Sequence, residues 1–163
     1  INSFQKAVNL NSELLDGWIN LGRLHESRGH AVAGKYYETA VQIAPENVLA
    51  HHAKADYLSR SDDLDGALAS YRAILEINPE YVEACFNSGL IYLDLDSIPQ
   101  ARQQFDRAVS ISPLHVRAYY YRGYCSEQSG DLAQAEADYR KALSFAPDFP
   151  LAQQGLSRLN AVK

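Results

Sequence analysis

Residues 77–113 read INPEYVEACFNSGLIYLDLDSIPQARQQFDRAVSISP, and this stretch contains one full copy of a unit that recurs along the chain. Its opening phrase, INPEY, has three counterparts, which are IAPEN, ISPLH and FAPDF. Their prolines, Pro45, Pro79, Pro113 and Pro147, follow one another at intervals of 34 residues. A fixed period of this length is typical of a stack of helix–turn–helix units, in which each unit buries its apolar face against its neighbours.

Alignment on these prolines, placed at repeat position 32, separates small and large residues into columns. Position 20 is alanine in every copy: Ala33, Ala67, Ala101 and Ala135. Position 24 is aromatic: Tyr37, Tyr71, Phe105 and Tyr139. Position 8 is small: Gly22, Ala55, Gly89 and Gly123. Small residues let two helices approach closely and the rings fill the remaining space, so the columns predict packed helical hairpins.

These columns resemble the pattern of the tetratricopeptide-repeat (TPR) family. The resemblance implies an all-α fold, a right-handed superhelical solenoid of antiparallel helix pairs. It divides the chain into four full repeats with a segment on either side. Residues 1–14 form the second helix of a truncated leading repeat, residues 15–47, 48–81, 82–115 and 116–149 form TPR 1 to TPR 4, and residues 150–163 form a C-terminal capping helix.

Ten helices follow from the same period. They are expected near 1–10, 15–28, 32–44, 48–60, 64–77, 82–95, 98–111, 116–129, 132–145 and 150–161. The turns inside the hairpins carry Gly29, Asp62-Asp63, Asp96-Ser97 and Gly130-Asp131. The glycines of these turns tolerate a left-handed C-terminal cap, and Asp or Ser at the next site suits the N-cap of the following helix.

Some positions depart from the family pattern. TPR 2 departs most, because His51 replaces a large aromatic residue, Lys54 replaces leucine and Ile74 replaces a small residue. The first repeat is one residue short in its inter-helix turn. The chain begins at Ile1 and contains no methionine, so we expect it to be a piece of a longer protein.

The leading segment reads like the second half of a repeat. Phe4, Ala7 and Leu10 fill positions 24, 27 and 30 of the family pattern. We therefore expect the chain to open halfway through a repeat, with one helix face that a preceding hairpin would cover.

Composition excludes several classes of function. With a formal net charge of −5, the chain lacks the basic stripe that nucleic acid requires, so we expect no nucleic-acid partner. No apolar run approaches the roughly 20 residues of a membrane span. No strand precedes a glycine-rich loop and no nucleophile elbow occurs, so we expect no enzyme and no cofactor.

The resemblance also implies where a ligand would bind, because the first helix of each TPR hairpin lines a concave groove. Helical geometry places positions 2, 5, 9 and 12 on the inner face, with position 6 beside them. The candidate peptide-binding residues are Asn20, Arg23, His52, Asp56, Phe86, Asn87, Leu90, Tyr120, Tyr121 and Tyr124.

Large apolar residues occupy this face in the last two repeats. Phe86, Leu90, Leu93, Tyr120 and Tyr124 lie outside the TPR packing columns, and solvent-facing apolar clusters usually mark interaction sites. The alternative is that some of them fill space against the adjacent hairpin. The binding interpretation predicts a partner protein or peptide with an apolar stripe.

Two known modes of TPR recognition match the sequence poorly. Chaperone-binding TPR domains clamp two carboxylates with cations at positions 5 and 9, whereas TPR 3 has Phe86 and Leu90 there. Some TPR domains hold a peptide backbone with an asparagine ladder at position 6. Here Asn20 and Asn87 are present and the other two repeats lack asparagine, so the ladder is incomplete.

Chemically reactive residues form no complete site. His52 and Asp56 are spaced i, i+4 and could supply two metal ligands, but a third is not evident, so we expect no metal. Cys85 and Cys125 have no CxxC partner and are interpreted as small buried residues.

The sequence leaves two functional hypotheses. The first is a non-catalytic protein–protein interaction scaffold that binds a peptide or protein segment in the concave groove. The second is a self-assembly or spacer module of a larger protein, stacking end to end through its exposed terminal repeat. A general resemblance to TPR arrays of bacterial cell-envelope proteins favours a parent in the bacterial periplasm or cell envelope over one in the cytoplasm.

Overall fold

A computed structural model of the protein describes residues 14–161. This part of the chain folds into nine α-helices and no strand, and none of them is long and apolar enough to cross a membrane. They are α1 (Leu15–Glu26), α2 (Ala33–Ile43), α3 (Val48–Arg60), α4 (Leu64–Ile77), α5 (Val82–Asp94), α6 (Ile98–Ile111), α7 (Val116–Gln128), α8 (Leu132–Phe145) and α9 (Pro150–Ala161).

A helix lies in every range predicted from residue 15 onward. The first helices α1, α5 and α7 end one or two residues before the predicted limit, and α2 is one residue shorter at each end. The predicted helix over 1–10, with its columns at Phe4, Ala7 and Leu10, lies outside the described residues.

The chain divides into two compact units, Ile1–Pro79 and Glu80–Lys163. In the first unit α1 packs on α2 and α3 packs on α4. In the second, α5 packs on α6, α7 packs on α8, and α9 covers α8. The short turns between packed helices make each pair an antiparallel hairpin.

The hairpins depend on close contact between a small residue and a ring. A Cβ added to Gly22 would lie 2.7 Å from Cε1 of Tyr37, and one added to Gly89 would lie 2.6 Å from Cε1 of Phe105. Non-bonded carbon atoms essentially never lie this close, so a side chain at Gly22 or Gly89 would force the ring to move. The four alanines at position 20 are all fully buried, which brings the second helix against the first over their length.

The left-handed conformation predicted for the turn glycines is present, and two aspartates adopt it as well. Gly29, Asp62, Asp96 and Gly130 all adopt the left-handed conformation, with φ of 69°, 65°, 53° and 81°. The side chains of Asp63 and Asp131 then accept hydrogen bonds from backbone N–H groups at the start of α4 and α8. The expectation for Ser97 is wrong, because its hydroxyl donates to the carbonyl of Leu95 instead of capping α6.

At the start of α6 a proline occupies a position whose N–H a capping side chain would otherwise have to accept. Pro99 lies in the first turn, where a backbone N–H would have no partner inside the helix in any case. The side chain of Ser97 is therefore not required as an acceptor.

A buried ion pair joins the two helices of the last hairpin. Arg122, on α7, donates from Nε to Oδ2 of Asp138 at 2.9 Å and from its terminal nitrogen to Oδ1 at 2.6 Å. Asp138 is only 2% exposed and also accepts from Nε2 of Gln134 at 3.1 Å. Arg122 contacts Asp106 of α6 at 3.2 Å, and its guanidinium lies 5.2 Å from the centre of the Tyr119 ring.

We expect this ion pair to be a strong determinant of stability. Removal of the Asp138 carboxylate in Asp138→Ala leaves the Arg122 charge partly buried without its main partner, which costs about 3–5 kcal/mol. Chemical denaturation in urea, followed by circular dichroism, measures the loss.

The matched control is Asp106→Ala, which removes the other carboxylate on the same guanidinium. The Asp106 side chain is 52% exposed, so this change is expected to cost at most about 1 kcal/mol. Equal losses for the two variants would contradict the importance of the buried pair.

Candidate peptide-binding groove

The predicted groove residues all lie on first helices of the hairpins. Asn20 and Arg23 are on α1, His52 and Asp56 on α3, and the other six on α5 and α7. Arg23 is exposed, and seven are half-buried: Asn20, His52, Asp56, Asn87, Leu90, Tyr121 and Tyr124. The remaining two, Phe86 and Tyr120, are buried.

The expectation that Phe86 faces solvent is wrong, because this side chain is only 5% exposed. Its ring centre lies 4.8 Å from that of His115 and 5.8 Å from those of Phe105 and Tyr121. The guanidinium of Arg117 covers it at 4.8 Å. Phe86 therefore fills space between its own hairpin and the next one.

Tyr120, expected to face solvent as well, is only 8% exposed. Its ring lies 5.6 Å from Tyr139 and meets Phe149 edge to face at the same distance. The neighbouring Tyr121 stacks on Phe105 with ring centres 5.4 Å apart. The packing alternative thus describes the position-5 rings correctly, and Phe86 and Tyr120 contribute to the core.

Accessible apolar surface remains elsewhere on the first helices. In the second unit, Leu90 and Leu93 of α5 and Tyr124 of α7 are half-buried. In the first unit, Leu49 of α3 is 63% exposed. Leu90 and Tyr124 occupy the same repeat position on successive first helices, so they extend the same face.

The buried tyrosines at position 24 donate hydrogen bonds to carboxylates on the first helix of their own hairpin. In the first unit, the Tyr37 hydroxyl donates to Oε2 of Glu26 at 2.7 Å, and the Tyr71 hydroxyl donates to Oδ1 of Asp56 at 2.9 Å. In the second unit, the Tyr139 hydroxyl donates to Oε2 of Glu127 at 2.5 Å. A buried hydroxyl without an acceptor is costly, which explains the pairing.

The one hairpin whose position 24 is not tyrosine also has no carboxylate at positions 9 and 12. Its ring is Phe105, which has no hydroxyl, and positions 9 and 12 of the same repeat are Leu90 and Leu93. An acidic residue therefore occurs at position 9 or 12 where position 24 is tyrosine, and leucines occur at both positions where it is phenylalanine.

An arginine completes two of these clusters. Arg60 of α3 donates from Nε to Oε1 of Glu26 at 2.7 Å, and Arg158 of α9 donates to both carboxylate oxygens of Glu127 at 2.9 and 2.8 Å. In the remaining hairpin with a tyrosine, Nδ1 of His52 lies 3.2 Å from Oδ2 of Asp56. These three carboxylates are thus paired inside their own unit.

These contacts lower the pKa values of Glu26 and Glu127. The hydrogen bonds from Arg158, together with that from Tyr139, hold the pKa of Glu127 below its ordinary value against the opposing effect of burial. Burial opposes the shift in Glu26 more strongly, but hydrogen bonds from Arg60 and Tyr37 still lower its pKa. Both groups are therefore carboxylates at neutral pH.

These roles of Glu26, Glu127, Arg60 and Arg158 are not among those predicted from the sequence. The signal is nevertheless present in the sequence, because an acidic residue stands at position 9 or 12 of each repeat that has tyrosine at position 24. The arginines carry no such signal, since Arg60 and Arg158 occupy different repeat positions.

The described residues contain no cluster of three or more His, Cys, Asp or Glu side chains arranged to hold a metal ion. His52 and Asp56, considered as a ligand pair, contact each other. Cys85 and Cys125 are both free thiols and fully buried. Burial raises the pKa of Cys85 and raises that of Cys125 to about 12, so both thiols are protonated and unreactive at neutral pH.

Comparison with known proteins identifies the repeat. A family model described as "Tetratricopeptide repeat" matches residues 52–114 and 86–150. No curated protein sequence matches the chain. Among solved structures, a tetratricopeptide repeat protein from Parabacteroides merdae ATCC 43184 is 23% identical, with a TM-score of 0.81 over 97% of this chain and 63% of that one.

Two further structures share the fold. MamA from Desulfovibrio magneticus RS-1 is 19% identical, with a TM-score of 0.81 over 90% of this chain and 84% of that one. The first TPR of Spaghetti (RPAP3), bound to HSP90 peptide SRMEEVD, is 21% identical, with a TM-score of 0.67 over 71% of this chain and 91% of that one. At these identities the likeness concerns the fold.

The carboxylate of Glu127 generates a pH prediction. Its folded pKa is lower than its unfolded value of about 4.3, so it adds stability above that value, and the contribution is lost as pH falls through the folded pKa. Glu127→Gln should be less stable than the wild type at pH 7 and should lose less stability between about pH 6 and pH 3.

Thermal melts at a series of pH values, followed by circular dichroism, measure this difference. Glu46→Gln removes an exposed carboxylate of the same size as a control and should keep the wild-type dependence on pH. A Glu127→Gln profile parallel to that of the wild type would contradict the assignment.

Proposed function

We propose, because this chain belongs to the tetratricopeptide-repeat family, that it is a non-catalytic scaffold that binds a peptide or protein segment in its concave groove. The fold of the family supports protein interaction in general. The observation that carries the finer proposal is the accessible apolar surface of the first helices in the second unit, formed by Leu90, Leu93 and Tyr124.

The electrostatics of the first helices support an apolar ligand over an acidic one. Arg158 is already paired with Glu127, so this arginine is committed to an internal carboxylate. A tetratricopeptide repeat of known structure binds HSP90 peptide SRMEEVD, which is rich in acidic residues. Phe86 and Leu90 stand where a dicarboxylate clamp has cations, so we propose a partner segment with an apolar stripe.

A test of the groove must avoid its buried rings. Alanine at Phe86 and Tyr120 removes side chains that are 5% and 8% exposed, and a Phe→Ala change in a core costs about 3–5 kcal/mol. A loss of binding in that double variant would therefore report unfolding as well as contact. The half-buried pair Leu90 and Tyr124 allows a cleaner test.

The chain is first used to select binders from a random peptide library displayed on phage. We expect the selected peptides to share apolar residues at regular spacing and to bind Leu90→Lys/Tyr124→Lys at least tenfold more weakly, because a cation replaces the apolar contact. Fluorescence anisotropy measures the affinity, and circular dichroism verifies the helical content of each variant.

The control is Gln100→Lys/Gln103→Lys, which adds the same charge at two exposed positions of α6, a second helix. It should bind the selected peptides as the wild type does. If the selected peptides bind the Leu90→Lys/Tyr124→Lys variant with unchanged affinity, the groove proposal is wrong.

The second hypothesis, self-assembly, makes a separate prediction. End-to-end stacking would bury apolar surface between copies and raise the mean mass with concentration. For a peptide-binding scaffold we expect a constant monomer mass in multi-angle light scattering across a hundredfold range of concentration. A mass that rises over this range would favour the assembly hypothesis.

A further inference from the structure

A cavity of about 460 Å³ opens in the first unit among the helices α2, α3 and α4. The side chains that line it include Glu38 of α2, His51, Lys54 and Tyr57 of α3, and Ser70 of α4. Its volume falls within the range of small-ligand sites in proteins. Among the residues that the structure describes, Lys54 is the only Lys or Arg that lines the cavity.

This cavity is separate from the candidate groove. On α3 the groove residues His52 and Asp56 lie one turn apart on one side. Lys54 lies about 160° around the helix from Asp56 and about 160° from His52, at 100° per residue. Ligands could therefore occupy the two faces of α3 independently.

In the second unit the corresponding space among α6, α7 and α8 is filled by side chains. Two repeat periods further along the chain, Lys54 corresponds to Arg122, Glu38 to Asp106 and Ser70 to Asp138. There the Asp138 carboxylate accepts two hydrogen bonds from Arg122, at 2.9 and 2.6 Å, beside the Asp106 contact.

The first unit differs from the second at the two positions whose side chains fill this space. Ser70 stands in place of Asp138, and Gly66 stands in place of Gln134, whose amide donates to the Asp138 carboxylate. The Ser70 hydroxyl donates to the carbonyl of Gly66 at 3.0 Å. The first unit therefore keeps the cation of this arrangement and lacks its principal carboxylate.

The Lys54 side chain is half-buried, and it forms no ion pair in residues 14–161. A partly desolvated ammonium without a carboxylate is less stable than a paired one, so an anion that enters the cavity would be attracted to it. Charge-assisted hydrogen bonds to ammonium groups are among the stronger polar contacts in proteins.

We propose that this cavity is a second binding site, in which Lys54 holds a ligand carboxylate in the place that Asp138 fills in the second unit. The ligand chemistry is a single carboxylate, either on an Asp or Glu side chain of a partner segment or on a free organic acid. A multiply charged anion fits poorly, because Glu38 and Asp63 also line the cavity.

The neighbouring acidic residues do not exclude one carboxylate. In the second unit Asp138 lies on Arg122 although Asp106 contacts the same guanidinium at 3.2 Å. Glu38 is the counterpart of Asp106, so a ligand carboxylate in place of Asp138 would restore an arrangement in which one cation faces two acidic groups.

Two probes distinguish the sources of the carboxylate. They are sodium propionate and the blocked peptide acetyl-Ala-Ala-Glu-Ala-Ala-amide, each added to the ¹⁵N-labelled chain and followed by the backbone amide signals in NMR spectra. Both should shift the signals around Lys54 saturably, and propionamide and the matching Gln peptide should not. A peptide at least tenfold tighter than propionate indicates a partner segment, and equal affinities indicate a free acid.

Variants on both sides of the cavity complete the test. Lys54→Met keeps the length of the side chain and removes the charge, and it should weaken propionate binding at least tenfold. Ser70→Asp supplies an internal carboxylate as in the second unit, and it should also abolish binding, whereas Ser70→Asn should retain it. Circular dichroism verifies that each variant is folded.

The proposal fails if propionate and propionamide shift the same signals equally. It fails as well if Lys54→Met or Ser70→Asp binds propionate as tightly as the wild type. These results are independent of the groove, because peptides selected for the groove are tested on Leu90 and Tyr124 in the other unit.

Discussion

The hairpins depend on the contact between the ring at repeat position 24 and the small residue at position 8. A Cβ at Gly22 or Gly89 would overlap the ring of Tyr37 or Phe105, so the absence of that atom allows the close approach of the helices in these two hairpins. Tyr139 shows the same constraint twice, since Gly123 lies against one side of its ring and Gly155 of α9 against the other. The close approach is what buries the ring and excludes water from it.

Burial of a tyrosine ring creates a second requirement, an acceptor for its hydroxyl. The first helix supplies the acceptor as Glu26, Asp56 or Glu127, and it supplies leucines where the ring is Phe105. Packing at position 24 thereby determines the polarity of positions that would otherwise be free for a ligand. Part of the acidic character of the first helices has a structural cause and does not by itself indicate the charge of a partner.

The helices could be predicted from the sequence because the columns repeat four times and each column has one physical role. The burial of Phe86 and Tyr120 could not be predicted. Position 5 lies on the inner face by helical geometry, but His115 and Phe149, which come from the segments before α7 and α9, fold over those rings. Spacing within one helix carries no information about residues that arrive from a later turn of the chain.

Comparison of the repeats with one another reveals what neither repeat shows alone. The two units repeat the same helical hairpins. A carboxylate that pairs with a cation in one unit therefore shows which group the other unit lacks at the matching position. Arg122 is neutralised by Asp138, whereas Lys54 faces Ser70 and an open cavity. Because a solenoid reuses one packing solution, the departure of TPR 2 from the family pattern is itself informative. Lys54, which replaces the leucine of the family pattern, lines a polar cavity together with Ser70, where the second unit has the pair Arg122 and Asp138.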